Sequence, residues 1–141
     1  MAFESAAEHF SHAADIGVRG IGRTKEQAFE NAALALTGIV TEATGVVAEK
    51  AVEIECQAPS DELLLVDWLN QLIYEMAVRH MLFGRFAVTL ENGRLRGRAW
   101  GEKVDRLRHA PVVEPKGATF TVLKVERRAD GAWVAQCVID V

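Results

Sequence analysis

Two helix-periodic segments, several period-two segments and two hairpin dipeptides predict an α+β fold. The expected arrangement is two helices packed on one face of a mostly antiparallel sheet, in a single domain spanning residues 1–141. The length suits one domain and buries roughly two-thirds of the unfolded surface, so neither a disulfide nor a structural metal is needed to fold. With 50% hydrophobic and 26% charged residues, the composition excludes the disordered and fibrous classes.

Ile16–Gly22 reads as a short strand. Thr24 with Gln27 three residues on makes a capping box, and Phe29, Ala32, Ala33 and Leu36 follow at helical spacing. Gly38 suits a C-cap, which gives a helix of about fourteen residues. In Val47–Gln57, Val52, Ile54 and Cys56 alternate with Glu53, Glu55 and Gln57, as in a strand with one wet face. Ser60 is an N-cap, and Asp61 and Glu62 occupy the first turn, where the helix dipole favours anions. Leu65, Trp68, Leu69, Leu72 and Met76 form the wide apolar stripe of a second helix, with Arg79 and His80 at its far end. Phe86, Val88 and Leu90 lead to Asn92-Gly93, and Leu95, Gly97 and Ala99 lead away, which is a hairpin. Ala118–Arg127 and Ala132–Val141 flank Asp130-Gly131 as a second one. The intervening Gly101–Lys116 is a long loop, and loops of that length are often functional.

No apolar run is long enough to cross a membrane, and Met1–Phe10 has no basic leader region, so the expected setting is cytoplasmic. Cys56 and Cys137 stand alone in strand patterns, which suits reduced, partly buried thiols and argues against a nucleophile or a zinc cluster. Charge is uneven along the chain: net −7 over residues 1–62, −1 over 63–93 and +4 over 94–141. The basic excess gathers in Arg94, Arg96, Arg98, Lys103, Arg106 and Arg108, while a pI of 5.6 argues against a general nucleic-acid coat. Contact with RNA is therefore expected to be weak or indirect, and the basic stretch reads first as a solvated hairpin. Phosphate-binding loops, a nucleophile elbow and the HExxH motif are absent.

Chemistry is left to His12-Ala-Ala-Asp15, ahead of the first predicted strand, and to Asp140, at the end of a largely apolar one. If the last strand lies beside the chain's start, Asp15 and Asp140 supply two hard oxygen ligands, suited to Ca²⁺, Mg²⁺ or Mn²⁺ rather than zinc. Two such carboxylates repel unless a cation, Lys116 or a proton intervenes.

The string from Glu8 through His12 and Asp15 to Gly17 resembles the opening signature of the archease family, as does the stretch from Gly22 to Leu36. Leu63–Tyr74 resembles that family's second-helix block, Gly101-Glu102 and Glu114-Pro115-Lys116 resemble later blocks, and Ile139-Asp140-Val141 resembles its ending. Archeases are small α+β proteins that assist the GTP-dependent RNA ligase of the RtcB type in tRNA splicing and RNA repair. They promote its guanylylation and repeated turnover and are not themselves ligases. The resemblance implies a divalent-metal site formed by Asp15, Asp140 and the main-chain carbonyl of Val141, with Ca²⁺ as the expected ion and Mg²⁺ or Mn²⁺ as alternatives. It also implies a partner-facing role for Lys116 and His12. Ala13, Gly117 and Phe120-Thr121 depart from the residues more usual in the family and leave the metal set intact. Two other readings stand beside this one: a small metal-dependent hydrolase using Asp15, Asp140 and His12, and a chaperone-like interaction module for RNA-modifying enzymes.

Overall fold

Residues 5–141 are described in a computed structural model, and both long helices begin where their capping residues stand. The reading of Met1–Phe10 as lacking a leader falls partly outside these residues. In α1 (Lys25–Val40) the Thr24 hydroxyl accepts the Gln27 N–H at 3.0 Å, while the Gln27 carboxamide accepts the Arg23 N–H at 2.7 Å. The helix passes through Gly38 and ends at Thr41, so Gly38 is not the expected cap. Its bare Cα instead admits the His9 ring: a Cβ there would stand 3.1 Å from the imidazole, whose Nε2 lies 2.7 Å from the Ala35 carbonyl. In α2 (Asp61–Arg79) the Ser60 hydroxyl accepts the Leu63 N–H, and His80 closes the helix in the left-handed region at φ 54°.

The α+β class is observed, with every strand pair antiparallel, but the strands fall into two sheets rather than one. In the first, β1 (Ala6–His12), β2 (Asp15–Gly22), β8 (Trp133–Asp140) and β6 (Gly117–Ala118) lie side by side, and β7 (Lys124–Arg127) also pairs with β8. In the second, β5 (Arg94–Lys103) runs between β3 (Lys50–Gln57) and β4 (Met81–Glu91). What separates them is α1. Its Glu30 carboxylate accepts the Val88 N–H at 2.9 Å and its Thr37 hydroxyl donates to the Phe83 carbonyl at 2.6 Å. Those side chains occupy the edge of β4, where another strand would have to dock.

Three further departures from the sequence reading are local. The segment before the first predicted strand is itself β1, joined to β2 through Ala13 and Ala14, with Ala13 at φ 53°. The segment 118–127 is two strands, β6 and β7, interrupted by a turn closed by the Leu123 N–H on the Phe120 carbonyl. The loop after β5 contains a short helix, α3 (Arg106–His109).

Both helices and both sheets contribute to one apolar core, in which Val18, Phe29, Trp68, Leu69, Leu72, Leu95 and Ile139 are fully buried. Close approach needs glycine at two places. A Cβ on Gly20 would meet the α1 backbone at 1.9 Å, and one on Gly97 would meet the Trp68 ring at 2.3 Å. Leu69→Ala should therefore cost about 2–5 kcal/mol through lost burial and a residual cavity. Chemical denaturation checks this, and an unchanged midpoint would place the stripe outside the core.

The loop after β5 is tied down by a buried carboxylate. Glu102 accepts the Val47 N–H at 2.7 Å, bonds Arg108, and faces His109 Nε2 at 3.0 Å. The Asp105 N–H donates to His109 Nδ1 at 2.8 Å, which assigns the ring proton to Nε2, pointing at Glu102. The Arg108 bond and then the Val47 N–H hold the Glu102 carboxyl down at about 2. A depressed carboxyl stabilises the fold fully above its ordinary value of 4.5, and this stabilisation is lost as pH falls from there toward 2. Glu102→Gln should accordingly lower stability at neutral pH and flatten the acid limb of the melting-temperature profile between those values. Parallel profiles for variant and wild type would refute the assignment.

Candidate functional site

The end of the five-stranded sheet is assembled from four places in the chain. His12 pairs with Asp15 across the β1–β2 turn, and Ile16 pairs with Ile139. Continuing that register by one residue brings Asp15 opposite Asp140, which in turn pairs with Gly117. Residues opposite each other in antiparallel strands project to the same face. His12, Asp15 and Asp140 thus lie in one row, on the face opposite that of Ile16, Val18 and Ile139, which join the core.

Backbone contacts complete the row. The Val141 N–H donates to Asp15 Oδ1 at 3.3 Å, and the Lys116 N–H donates to the Asp140 carbonyl at 2.8 Å. The residues singled out as His12, Asp15, Lys116, Asp140 and Val141 therefore meet at one sheet end. Asn70, which the sequence reading passed over, reaches from α2 to accept the Ala118 N–H at 2.8 Å and so fixes the strand that follows Lys116. Its signal was an amide just after the Trp68-Leu69 pair of the apolar stripe, on the exposed side of the helix.

Asp140 is exposed and Asp15 half-buried, and among the described residues neither pairs with a cationic side chain. Like charges directly opposite across a sheet destabilise it, and a cation between them reverses the sign. Two carboxylates and a main-chain carbonyl are a hard, all-oxygen donor set. Such donors are of the type that could hold a divalent ion of the Ca²⁺, Mg²⁺ or Mn²⁺ kind. Among the described residues no three His, Cys, Asp or Glu side chains gather as a metal cluster.

The site is an open sheet edge. Two concavities of about 510 and 640 Å³ lie elsewhere, one beside Thr41 and His109, the other between α2 and the stretch Pro111–Pro115. Neither thiol competes as a reactive group: burial pushes Cys56 up to about 11 and Cys137 up to about 12. Two bases of the basic stretch are paired across strands, Arg98 with Glu53 at 2.6 Å and Arg96 with Glu55 at 3.5 Å. Arg85 and Arg98 flank the Trp100 ring. Exposed pairs of this kind contribute little stability. Among the described residues no helix is long and apolar enough to cross a membrane.

The model of the Archease protein family (MTH1598/TM1083) matches residues 8–141. The chain is 41% identical over 138 residues to "Protein archease" of Pyrococcus furiosus, covering 95% of this chain and 97% of that one. It is 39% identical over 140 residues to "Protein archease" of Methanosarcina barkeri, covering 95% and 94%. The solution structure of Methanobacterium thermoautotrophicum protein 1598 superposes with a TM-score of 0.83 at 29% identity, over 96% of this chain and 99% of that one. A crystal structure from Thermotoga maritima, described as an archease, possible chaperone, shares the fold with a TM-score of 0.59 at 22% identity, over 94% of each chain. Sequence relatives and shared fold agree along almost the whole length: the chain belongs to the archease family.

Proposed function

We propose that this archease is a protein cofactor of an RtcB-type GTP-dependent RNA ligase, promoting its guanylylation and turnover in tRNA splicing or RNA repair, and not an enzyme in its own right. The observation that carries the reading is the meeting of Asp15 with the Asp140-Val141 end of β8, where the Val141 N–H lies 3.3 Å from Asp15 Oδ1. Asp15, Asp140 and the Val141 carbonyl would hold one divalent ion, Ca²⁺ in the first instance and Mg²⁺ or Mn²⁺ as alternatives. Such an ion supplies fixed positive charge that attracts phosphate oxygens. The chain's own residues position: the Asp140 carbonyl holds the Lys116 N–H and Asn70 holds the Ala118 N–H, which sets the backbone that carries the exposed Lys116. An open edge with an incomplete ligand shell suits a site completed by a partner. The hydrolase alternative, using Asp15, Asp140 and His12, is less favoured because among the described residues no base, nucleophile and oxyanion donor stand together with the carboxylates. The proposed setting is cytoplasmic.

Titration of Ca²⁺ or Mn²⁺ by calorimetry should show one site in wild type that is lost in Asp140→Ala, and equal binding in both would sink the assignment. Asp15→Ala should keep the fold, because a half-buried edge carboxylate contributes little packing, and yet abolish stimulation of the cognate ligase. The measurement is the rate of ligase guanylylation with GTP at fixed metal. Full stimulation by the variant would break the site, and none by wild type would break the function.

A further inference from the structure

The turn between β6 and β7 holds a conformation its sequence disfavours. The Leu123 N–H closes it on the Phe120 carbonyl at 3.2 Å, with Val122 in the third position at φ 44°. Glycine or asparagine is expected there, and for a β-branched residue a positive φ is a genuine outlier. The surroundings over-determine it. Gln136, itself buried, donates from Nε2 to the Val122 carbonyl at 3.0 Å and accepts from Arg19 Nε at 2.9 Å. Arg19 is held in turn by Glu8 and lies over the Phe10 ring. On the near side, Thr119 Oγ1 donates to the Val138 carbonyl at 2.9 Å and accepts the Thr121 N–H. The effect of this scaffold is to present two apolar side chains to solvent: Phe120 is 67% exposed and Val122 47%.

Position gives these side chains a meaning. Val138, to which Thr119 is tied, is two residues from Asp140 along β8, about 7 Å at the rise of a strand. A stable protein interface covers about 800 Å² on each partner, which as a disc is about 16 Å in radius. Phe120, the residue after Thr119, therefore lies within reach of a partner centred on Asp15 and Asp140. Aromatic side chains commonly carry a large share of binding energy when they enter a pocket.

We propose that Phe120, with Val122 beside it, is the anchor that inserts into an apolar pocket of the ligase while the carboxylate row faces its reactive centre. This rests on the function proposed above. It divides the labour at the sheet end: Phe120 sets affinity, and Asp15 with Asp140 sets stimulation.

The test uses the intact protein and the intact cognate ligase, with binding by calorimetry and guanylylation measured against archease concentration. Phe120→Ala should weaken binding and raise the half-saturating concentration at least about tenfold, with maximal stimulation and melting temperature unchanged. Val122→Gly removes apolar surface and relieves the strained φ, so it should melt higher and still bind severalfold weaker, which separates lost contact from lost folding. Asp15→Ala should bind with near wild-type affinity and fail to stimulate. Wild-type affinity and half-saturation in both turn variants would overturn the anchor while leaving the carboxylate reading intact. Absence of binding by the wild type itself would overturn both.

Discussion

Seven antiparallel pairs join residues 16–22 to residues 133–139, and every feature of the sheet end depends on their register. The pairing places Ile16, Val18, Cys137 and Ile139 toward the helices, so its register is set by the core. A slip of one residue would turn Ile139 outward and Asp140 inward, exchanging a buried apolar group for a charge. The same apolar contacts that stabilise the middle of the molecule thus determine which side chains stand together at its rim. The two carboxylates themselves oppose the pairing, and the core holds them close in spite of that.

The stretch between β5 and β6 is anchored at both ends by different chemistry. At its start the buried Glu102 gathers the Val47 N–H, Arg108 and His109 into a closed hydrogen-bonded group. At its finish Lys116 and Ala118 are held by main-chain and amide acceptors, the Asp140 carbonyl and Asn70. Midway, the Val112 N–H donates to the Val40 carbonyl at the end of α1. A loop read from sequence as a long connection is a strap fixed at three points, which leaves the exposed Lys116 on a defined backbone.

What could be read in the sequence was local or charge-based. Thr24, Ser60 and the spacing of Phe29, Leu36, Leu69 and Leu72 declare two helices, because caps and stripes act within a few residues. Asn92-Gly93 declares a hairpin, and both residues take the positive φ such a turn needs. Asp15 and Asp140 could be paired as hard ligands, but their meeting depends on contacts across more than a hundred residues, which no periodicity records. β1 escaped because its Ala, Glu, His and Ser residues carry no apolar alternation: it is ordered by pairing with β2, not by its own pattern. The division into two sheets was equally hidden, since it rests on Glu30 and Thr37 reaching from a helix to a strand edge. Gly38 misled because a glycine near a helix end serves a passing imidazole as readily as a cap.

Occupation of that strand edge bears on how the molecule behaves at high concentration. An uncovered strand offers its free N–H and C=O groups as a template for another chain, the first step toward intermolecular sheets. On β4 the Val88 N–H and the Phe83 carbonyl are taken up by Glu30 and Thr37 of α1. β3, at the other side of the same sheet, alternates buried Val52 and Ile54 with exposed Glu53 and Glu55, so a second copy would meet like charge. In the larger sheet β6 is two residues long and β7 four, too short and too broken to seed an extended ladder. At these four edges recognition through side chains is favoured over association by added strands, whereas β1, seven residues long and paired on one side only, keeps an open edge.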